Sequence, residues 1–214
     1  VLSGLQLELD GNEIHAQLIG QFNAYNLIAI YATAILLGEE KGEVLIALSA
    51  LKTAPGRFEQ MHGPENKMAI VDYAHTPDAL ENVLKTIQAI RQKHQRIITV
   101  VGCGGNRDAG KRPIMATLAA QYSDQVVLTS DNPRFEDPEL ILDQMQAGIS
   151  AADESKVIRI SDRKHAIVEA IQQLAKSGDI VLVAGKGHET YQDIQGVKHD
   201  FDDKQVISDT FSKV

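Results

Sequence analysis

In the stretch VVGCGGNRDAGKRPIMA, Val100 to Ala116, an apolar run that begins at Ile97 gives way to glycines and three cations, Arg107, Lys111 and Arg112. Pro113 then leads into an alanine-rich segment. Proline suits the first turn of a helix, where its missing N–H has no partner to lose. Strand, glycine-rich turn and helix in that order make a βα unit. From Gly105 the spacing also follows the phosphate-loop pattern G-x-x-x-x-G-K-[ST], except that Arg112 stands in the Ser/Thr place. That hydroxyl helps to hold Mg²⁺, and arginine carries donors only. The loop therefore reads either as a glycine-rich turn with solvated charges or, favoured because three cations share one short loop, as an anion site at a helix N-terminus for a carboxylate or a phosphate.

The same rhythm extends to both sides. Strand-length apolar runs recur at Met68–Val71, Ile97–Val101, Gln125–Leu128, Val157–Ile160 and Ile180–Ala184. Helical segments separate or follow them at Pro77–Gln92, Arg112–Gln121, Pro138–Ser150 and Arg163–Lys176, with a last helix at Asp202–Phe211. Strands alternating with helices predict an α/β fold, a Rossmann-like, mostly parallel sheet with helices on both faces. Strands buried on both faces lose their polar alternation, as these do.

Before residue 53 the pattern is different. LQLELDGNEIHAQLIG, Leu5–Gly20, alternates around Asp10-Gly11 and predicts a hairpin with a tight turn. NLIAIYATAILLG follows and is apolar nearly all round, which predicts a buried helix stopped by Gly38. Glu43–Leu51 reads as a second short helix, and Pro55-Gly56 breaks the pattern as a boundary. The chain starts at Val1, and its first residues read as a strand already under way, the mark of a piece of a longer protein.

Composition excludes several classes. With a net charge of -8, the chain lacks the clustered cations of a nucleic-acid binder and does not suit an anionic membrane surface. No apolar run is long enough to span a bilayer, and no signal peptide is visible. The single cysteine, Cys103, rules out an internal disulfide and a cysteine-rich zinc site, and fits a reducing cytoplasm. Cys103 ends an apolar run and is expected in the core. No metal site is expected within this chain.

In parallel sheets, ligands bind beyond the carboxyl ends of the strands. Polar, charged and glycine residues gather there: DYAHTPD, GCGGNRDAGKR, TSDNPRFEDP, SDRKH and GKGHETYQ. Asp131, Asn132 and Arg134 surround Pro133. Arginine holds a carboxylate in a two-pronged fork, and aspartate can hold an ammonium, so the pair can read an amino acid. A local turn capped by Asp131 or Asn132 is the plainer reading of that stretch alone. Glu189 can likewise pair with an ammonium. Asp72 at a strand end can meet a ribose, while Thr76 or Asp78 caps the next helix.

Taken together and in order, GQFNAYNLIAIYATAILLG, APGRFEQM, VDYAHTPDAL, GCGGNRDAGKRPIMA, TSDNPRFEDP and VLVAGKGHETYQ resemble the Mur ligases of peptidoglycan synthesis. Within that family they are most similar to the branch that adds the third residue of the stem peptide. The resemblance implies three domains, of which residues 1–52 would be the tail of the central ATPase domain and 53–214 the C-terminal amino-acid-binding domain. The family's phosphate loop would lie upstream, so GNRDAGKR is not it. By position, Arg107, Asp131, Asn132, Pro133, Arg134, Gly185 and Glu189 would bind meso-diaminopimelate. Asn23, Asn26, Arg57, Asp72 and, with less definition, His75 would lie on the nucleotide side.

The implied activity is ATP-dependent addition of diaminopimelate to UDP-MurNAc-L-Ala-D-Glu through an acyl phosphate. Most of the ATP-phosphate and Mg²⁺ ligands would lie outside this chain, no catalytic residue is assigned, and the chain alone is expected to be inactive. A lysine-adding ligase, another Mur ligase or a folylpolyglutamate synthase are alternatives inside the superfamily. A dinucleotide-binding domain is an alternative outside it, weakened because Arg107 replaces the third glycine of G-x-G-x-x-G.

Overall fold

The computed structural model describes residues 4–213. The chain divides into two compact units, Val1–Ala54 and Pro55–Val214.

In the first unit, β1 (Leu5–Leu9) and β2 (Asn12–Ala16) pair antiparallel. Asp10 and Gly11 both take positive φ (47° and 74°), the twist a two-residue hairpin needs. The part of the strand reading that covers residues 1–3 lies outside the described residues. Next come α1 (Gln21–Leu36) and α2 (Lys41–Ala50). Leu9, Ile14, Ala16, Leu27, Tyr31 and Leu48 form the small core. Tyr31 donates to Asp10 Oδ2 at 2.8 Å and ties α1 to the turn.

The expectation of a buried α1 is overturned. Only Leu27 and Tyr31 of the helix are buried; Tyr25 is 68% and Leu36 88% exposed. A hairpin and one short helix can cover one stripe of a 16-residue helix, not its whole circumference.

The second unit is built on a six-stranded sheet of order β3-β4-β8-β5-β6-β7. Its strands are β3 (Glu59–His62), β4 (Met68–Asp72), β5 (Ile97–Cys103), β6 (Gln125–Ser130), β7 (Val157–Arg159) and β8 (Ile180–Ala184). All neighbours are parallel except the β3–β4 pair at the edge. β4, β5 and β8 are buried at every position, in keeping with their continuous apolar sequence.

Helices cover both faces. α3 (Pro77–Ile90), α4 (Lys111–Tyr122) and α5 (Pro138–Gln146) pack side by side. α6 (Arg163–Glu169), the π-helical turn Ala170–Leu174 and α7 (Asp203–Phe211) pack on the alternate residues of the strands, among them Val71, Val100 and Val183. Thr76, Asp137, Asp162 and Asp202 cap α3, α5, α6 and α7 with side-chain oxygens that accept backbone N–H bonds. Cys103 is buried beside Met115, and burial pushes its thiol up to about 12, so it is an inert core residue.

Two elements were not anticipated. β3 is one. The other is a hairpin of β9 (Tyr191–Ile194) and β10 (Val197–Asp200), separate from the main sheet. Its turn residues Gln195 and Gly196 both have positive φ. β8 lies between β4 and β5, the strands that feed α3 and α4. The segment after β8 runs to α7 on the opposite face. Chains that leave neighbouring strands toward opposite faces open a crevice at the carboxyl end of the sheet.

Candidate amino-acid-binding cleft

The loops that follow β4, β5, β6 and β8 enclose an open cleft of about 830 Å³. Arg107, Asp131, Asn132, Arg134, Gly185 and Glu189 line it, as does His75. Pro133 is buried behind them, with its carbonyl oxygen accepting from Glu136 N at 3.0 Å.

The loop after β5 comes closest to the loop after β6. Gly105 N donates to Asn132 O at 2.9 Å, and a Cβ at Gly105 would run into the Pro133 carbonyl. Arg107 projects from this loop and is exposed. Arg112 does not join it, contrary to the expectation of three cations around one anion. Its side chain is 1% exposed and grips Glu136 with both Nη atoms, at 2.9 and 3.0 Å. It also donates to Gln144 and to the Gly104 carbonyl. Lys111 donates to the His75 carbonyl at 2.5 Å, so it bridges two loops at the cleft mouth.

The loop after β6 carries the densest chemistry. Arg134 takes φ 51°, uncommon for a residue with a side chain. The surroundings hold it there. Arg134 N donates to Asp193 O and Gln195 N donates back to Arg134 O, so the β9–β10 hairpin clamps the residue from one side. On the other side its Nη1 donates to Gly105 O at 2.9 Å. Gln192 Nε2 adds a bond to Asp131 O. The hairpin thus supports the cleft wall, a role that YQDIQGVKHD gives no hint of.

Beneath the wall lies Lys186, fully buried. It donates to Asn132 Oδ1 at 3.0 Å and Glu189 Oε2 at 3.3 Å, and stands 3.5 Å from Asp131 Oδ1. Asn132 Nδ2 donates to Glu189 Oε2 at 2.9 Å. Asp131 Oδ1 is buried and accepts no hydrogen bond among the described residues; the cation it faces is Lys186. A lysine between two glycines carries no signal of burial in the sequence. Only the fold shows that it points inward.

Gly185 has φ 117°, a conformation glycine alone adopts readily, and its N–H bonds Asp72 O at 3.0 Å. Below, Arg163 and Asp203 form a fully buried, two-pronged pair at 2.8 Å. Arg163 Nη2 also donates to the Ala184 carbonyl, so the pair braces the end of β8. Burial pulls the Arg163 guanidinium down, but the Asp203 carboxylate wins and holds it above its usual value.

On the remaining side, Tyr73 is the centre of a small aromatic group. Arg57 lies over its ring at 4.7 Å, His75 meets it edge-on at 4.6 Å and His188 lies 5.3 Å away. Asp72 is buried, and its two oxygens accept from Phe58 N (2.7 Å) and Ala74 N (2.8 Å). Burial raises its carboxyl above its usual value, against the amides and Arg57, which lower it. In the first unit, Asn23 Nδ2 donates to Ile19 O and Asn26 Nδ2 to Asn23 Oδ1, both from the first turns of α1. No group of three metal-ligating side chains occurs among the described residues.

Comparison with known proteins places this architecture. The family description "Mur ligase, glutamate ligase domain" matches residues 56–187. The chain is 58% identical over 208 residues to a UDP-N-acetylmuramoyl-L-alanyl-D-glutamate–2,6-diaminopimelate ligase of Cytophaga hutchinsonii, covering 97% of this chain and 42% of that protein. It is 54% identical to the Bacteroides fragilis protein of the same name, over 98% of this chain and 43% of that one. A solved structure of a ligase with that name superposes with a TM-score of 0.72 at 41% identity, over 99% of this chain and 43% of that one. The Thermotoga maritima UDP-N-acetylmuramate–alanine ligase shares the fold alone, at 22% identity and a TM-score of 0.64, covering 96% of this chain and 41% of that one. The chain spans about two fifths of the length of the curated relatives it matches. With a matching domain over most of its second unit and relatives of this identity along nearly its whole length, the chain belongs to the Mur ligase family.

Proposed function

We propose that this chain is the amino-acid-binding part of an ATP-dependent ligase that joins meso-diaminopimelate to UDP-MurNAc-L-Ala-D-Glu in the cytoplasm. One observation carries the reading. A single cleft is lined by two arginines, Arg107 and Arg134, and two acids, Asp131 and Glu189. Diaminopimelate has an ammonium and a carboxylate at each end, so it can match both signs twice. Lysine lacks the second carboxylate and would leave a guanidinium facing no anion, which penalises it. The name of these relatives agrees with this choice.

In the proposed reaction the glutamate carboxylate takes the γ-phosphoryl group of ATP. The diaminopimelate amine attacks that acyl phosphate, an amide forms and phosphate leaves. This chain's residues bind and orient the amine donor. Arg57 stacked on the Tyr73 ring, with His75 edge-on to it, offers a surface for a nucleotide's base or ribose, and Asp72 holds the backbone at Phe58 next to Arg57. Asn23 and Asn26, in the first unit, are assigned to nucleotide binding in the intact ligase, and that unit to the tail of its central ATPase domain. Phosphate and Mg²⁺ ligands are assigned to the rest of the ligase.

The test is titration of ¹⁵N-labelled chain with meso-diaminopimelate and, separately, L-lysine. Amide shifts at Arg107, Asp131–Arg134 and Gly185–Glu189 with diaminopimelate alone are expected. An equal response to lysine would refute the selectivity. No response to either would refute binding by this chain alone, and KM values of the intact ligase would then decide between the two amino acids. Product formed by this chain with ATP and both substrates would refute its assignment as a part.

A further inference from the structure

Lys186 has the least exposure of any charged group at the cleft, yet nothing above gives it a part in recognition. Its surroundings define one. Asn132 Oδ1 accepts from two donors, Lys186 Nζ at 3.0 Å and Asp193 N at 3.0 Å. With two donors on that atom, the amide has one orientation: Nδ2 must point to Glu189 Oε2, which it reaches at 2.9 Å. Lys186 takes the same Glu189 oxygen at 3.3 Å. Both inner bonds therefore fall on Oε2, while Oε1 is left to the cleft side, with Tyr73 OH at 3.5 Å.

The charges point the same way. Asp131 and Glu189 place two carboxylates in one wall, and Lys186 lies within 3.5 Å of each. Two anions side by side repel, and one buried cation between them relieves that repulsion. The wall keeps a single net negative charge, matched to one ammonium of a ligand.

We infer that Lys186 is the positioning residue of the cleft: its buried ammonium fixes the Asn132 amide and turns Glu189 Oε1 toward the ligand's ammonium. The ligand half of this inference rests on the reading of the cleft as an amino-acid site; the internal network does not.

Proton exchange in the unligated, labelled chain tests the network first. The Lys186 ammonium should give a slowly exchanging signal. The Asn132 side-chain amide should exchange at least tenfold more slowly than that of exposed Asn82. In Lys186→Met, Asn132 exchange should quicken at least tenfold while the amides of β4, β5 and β8 keep their positions. In the intact ligase the same change should raise KM for diaminopimelate at least tenfold and leave KM for ATP within twofold. A merely structural lysine would lower stability and move both constants together.

Unchanged Asn132 exchange in Lys186→Met would overturn the inference. If that variant does not fold, the unmodified chain still decides: a Lys186 ammonium that exchanges as fast as a surface lysine overturns it. Slow exchange at Lys186 and Asn132 without any ligand response would uphold the network and count against the amino-acid reading alone.

Discussion

Arg112 and Glu136 join the two arginine-bearing loops of the cleft. Arg112 lies in the first turn of α4 after the Arg107 loop, Glu136 lies two residues after Arg134, and the two meet through bonds of 2.9 and 3.0 Å. Glu136 also accepts from Asn106 N in the Arg107 loop. One ion pair thus sets the spacing between two candidate carboxylate receptors.

The pair gives a pH dependence of known sign. The Arg112 guanidinium, then the Asn106 amide, hold the Glu136 carboxyl below its usual value of 4.5. A lowered carboxyl contributes stability that is complete above 4.5 and is lost as pH falls through the folded value. Glu136→Gln should therefore flatten the acid side of the stability curve and shift it little at pH 7 to 8 beyond a constant offset. Urea midpoints measured from pH 3 to 8 check this. Equal slopes below pH 4.5 in both proteins would contradict it.

Arg134→Ala should weaken meso-diaminopimelate binding by about tenfold to a hundredfold, the range of a charge-assisted hydrogen bond of about 1.5–3 kcal/mol. L-lysine, weak already, should change by less than threefold. Calorimetry with both amino acids reads the ratio. Arg134→Lys keeps the charge without the fork and should recover only part of the loss.

The Arg163–Asp203 pair is wholly buried, so removing one partner strands the other. Arg163→Met and Asp203→Leu should each cost about 3–5 kcal/mol in urea unfolding, and the double variant less than the sum of the two. Simple additivity would show that the pair is not coupled.

Gly105→Ala tests the close approach of the two loops. Its Cβ would meet the Pro133 carbonyl, which is backbone and cannot swing aside. The variant should lose about 1–3 kcal/mol of stability and most diaminopimelate binding together. Amide shift changes should centre on Asn132–Arg134.

The parallel strands were legible because burial on both faces leaves continuous apolar runs, as in IITVVGC and IVLVA. Pro77 and Pro138 marked helix starts that the structure places at the same residues. β3, EQMH, and β10, VKHD, escaped notice because neither buries a face and neither carries an apolar pattern. α1 misled for the opposite reason: an apolar sequence says what a helix can bury, not what is there to cover it. At the cleft, the strand-exit rule gathered the right loops. It could not separate Arg107, exposed in the cleft, from Arg112, buried against a glutamate 24 residues away. Nor could it tell that Lys186 faces inward, which depends on three partners from two loops.

The position of β8 has a consequence in time. It is the last of the parallel strands to leave the ribosome, yet it fits between β4 and β5, pairing Ile180 with both Met68 and Ile97. Until residue 184 is made, β4 and β5 each hold an open edge of unpaired backbone groups. Such a sheet cannot be zipped from one side as it is synthesised; it must wait and close around its final strand. Pairings this distant in sequence slow folding and leave sticky edges exposed. The crevice that makes room for a ligand in the finished protein is thus the late-sealing gap of the nascent one, and newly made chains should depend on chaperones until β8 is in place.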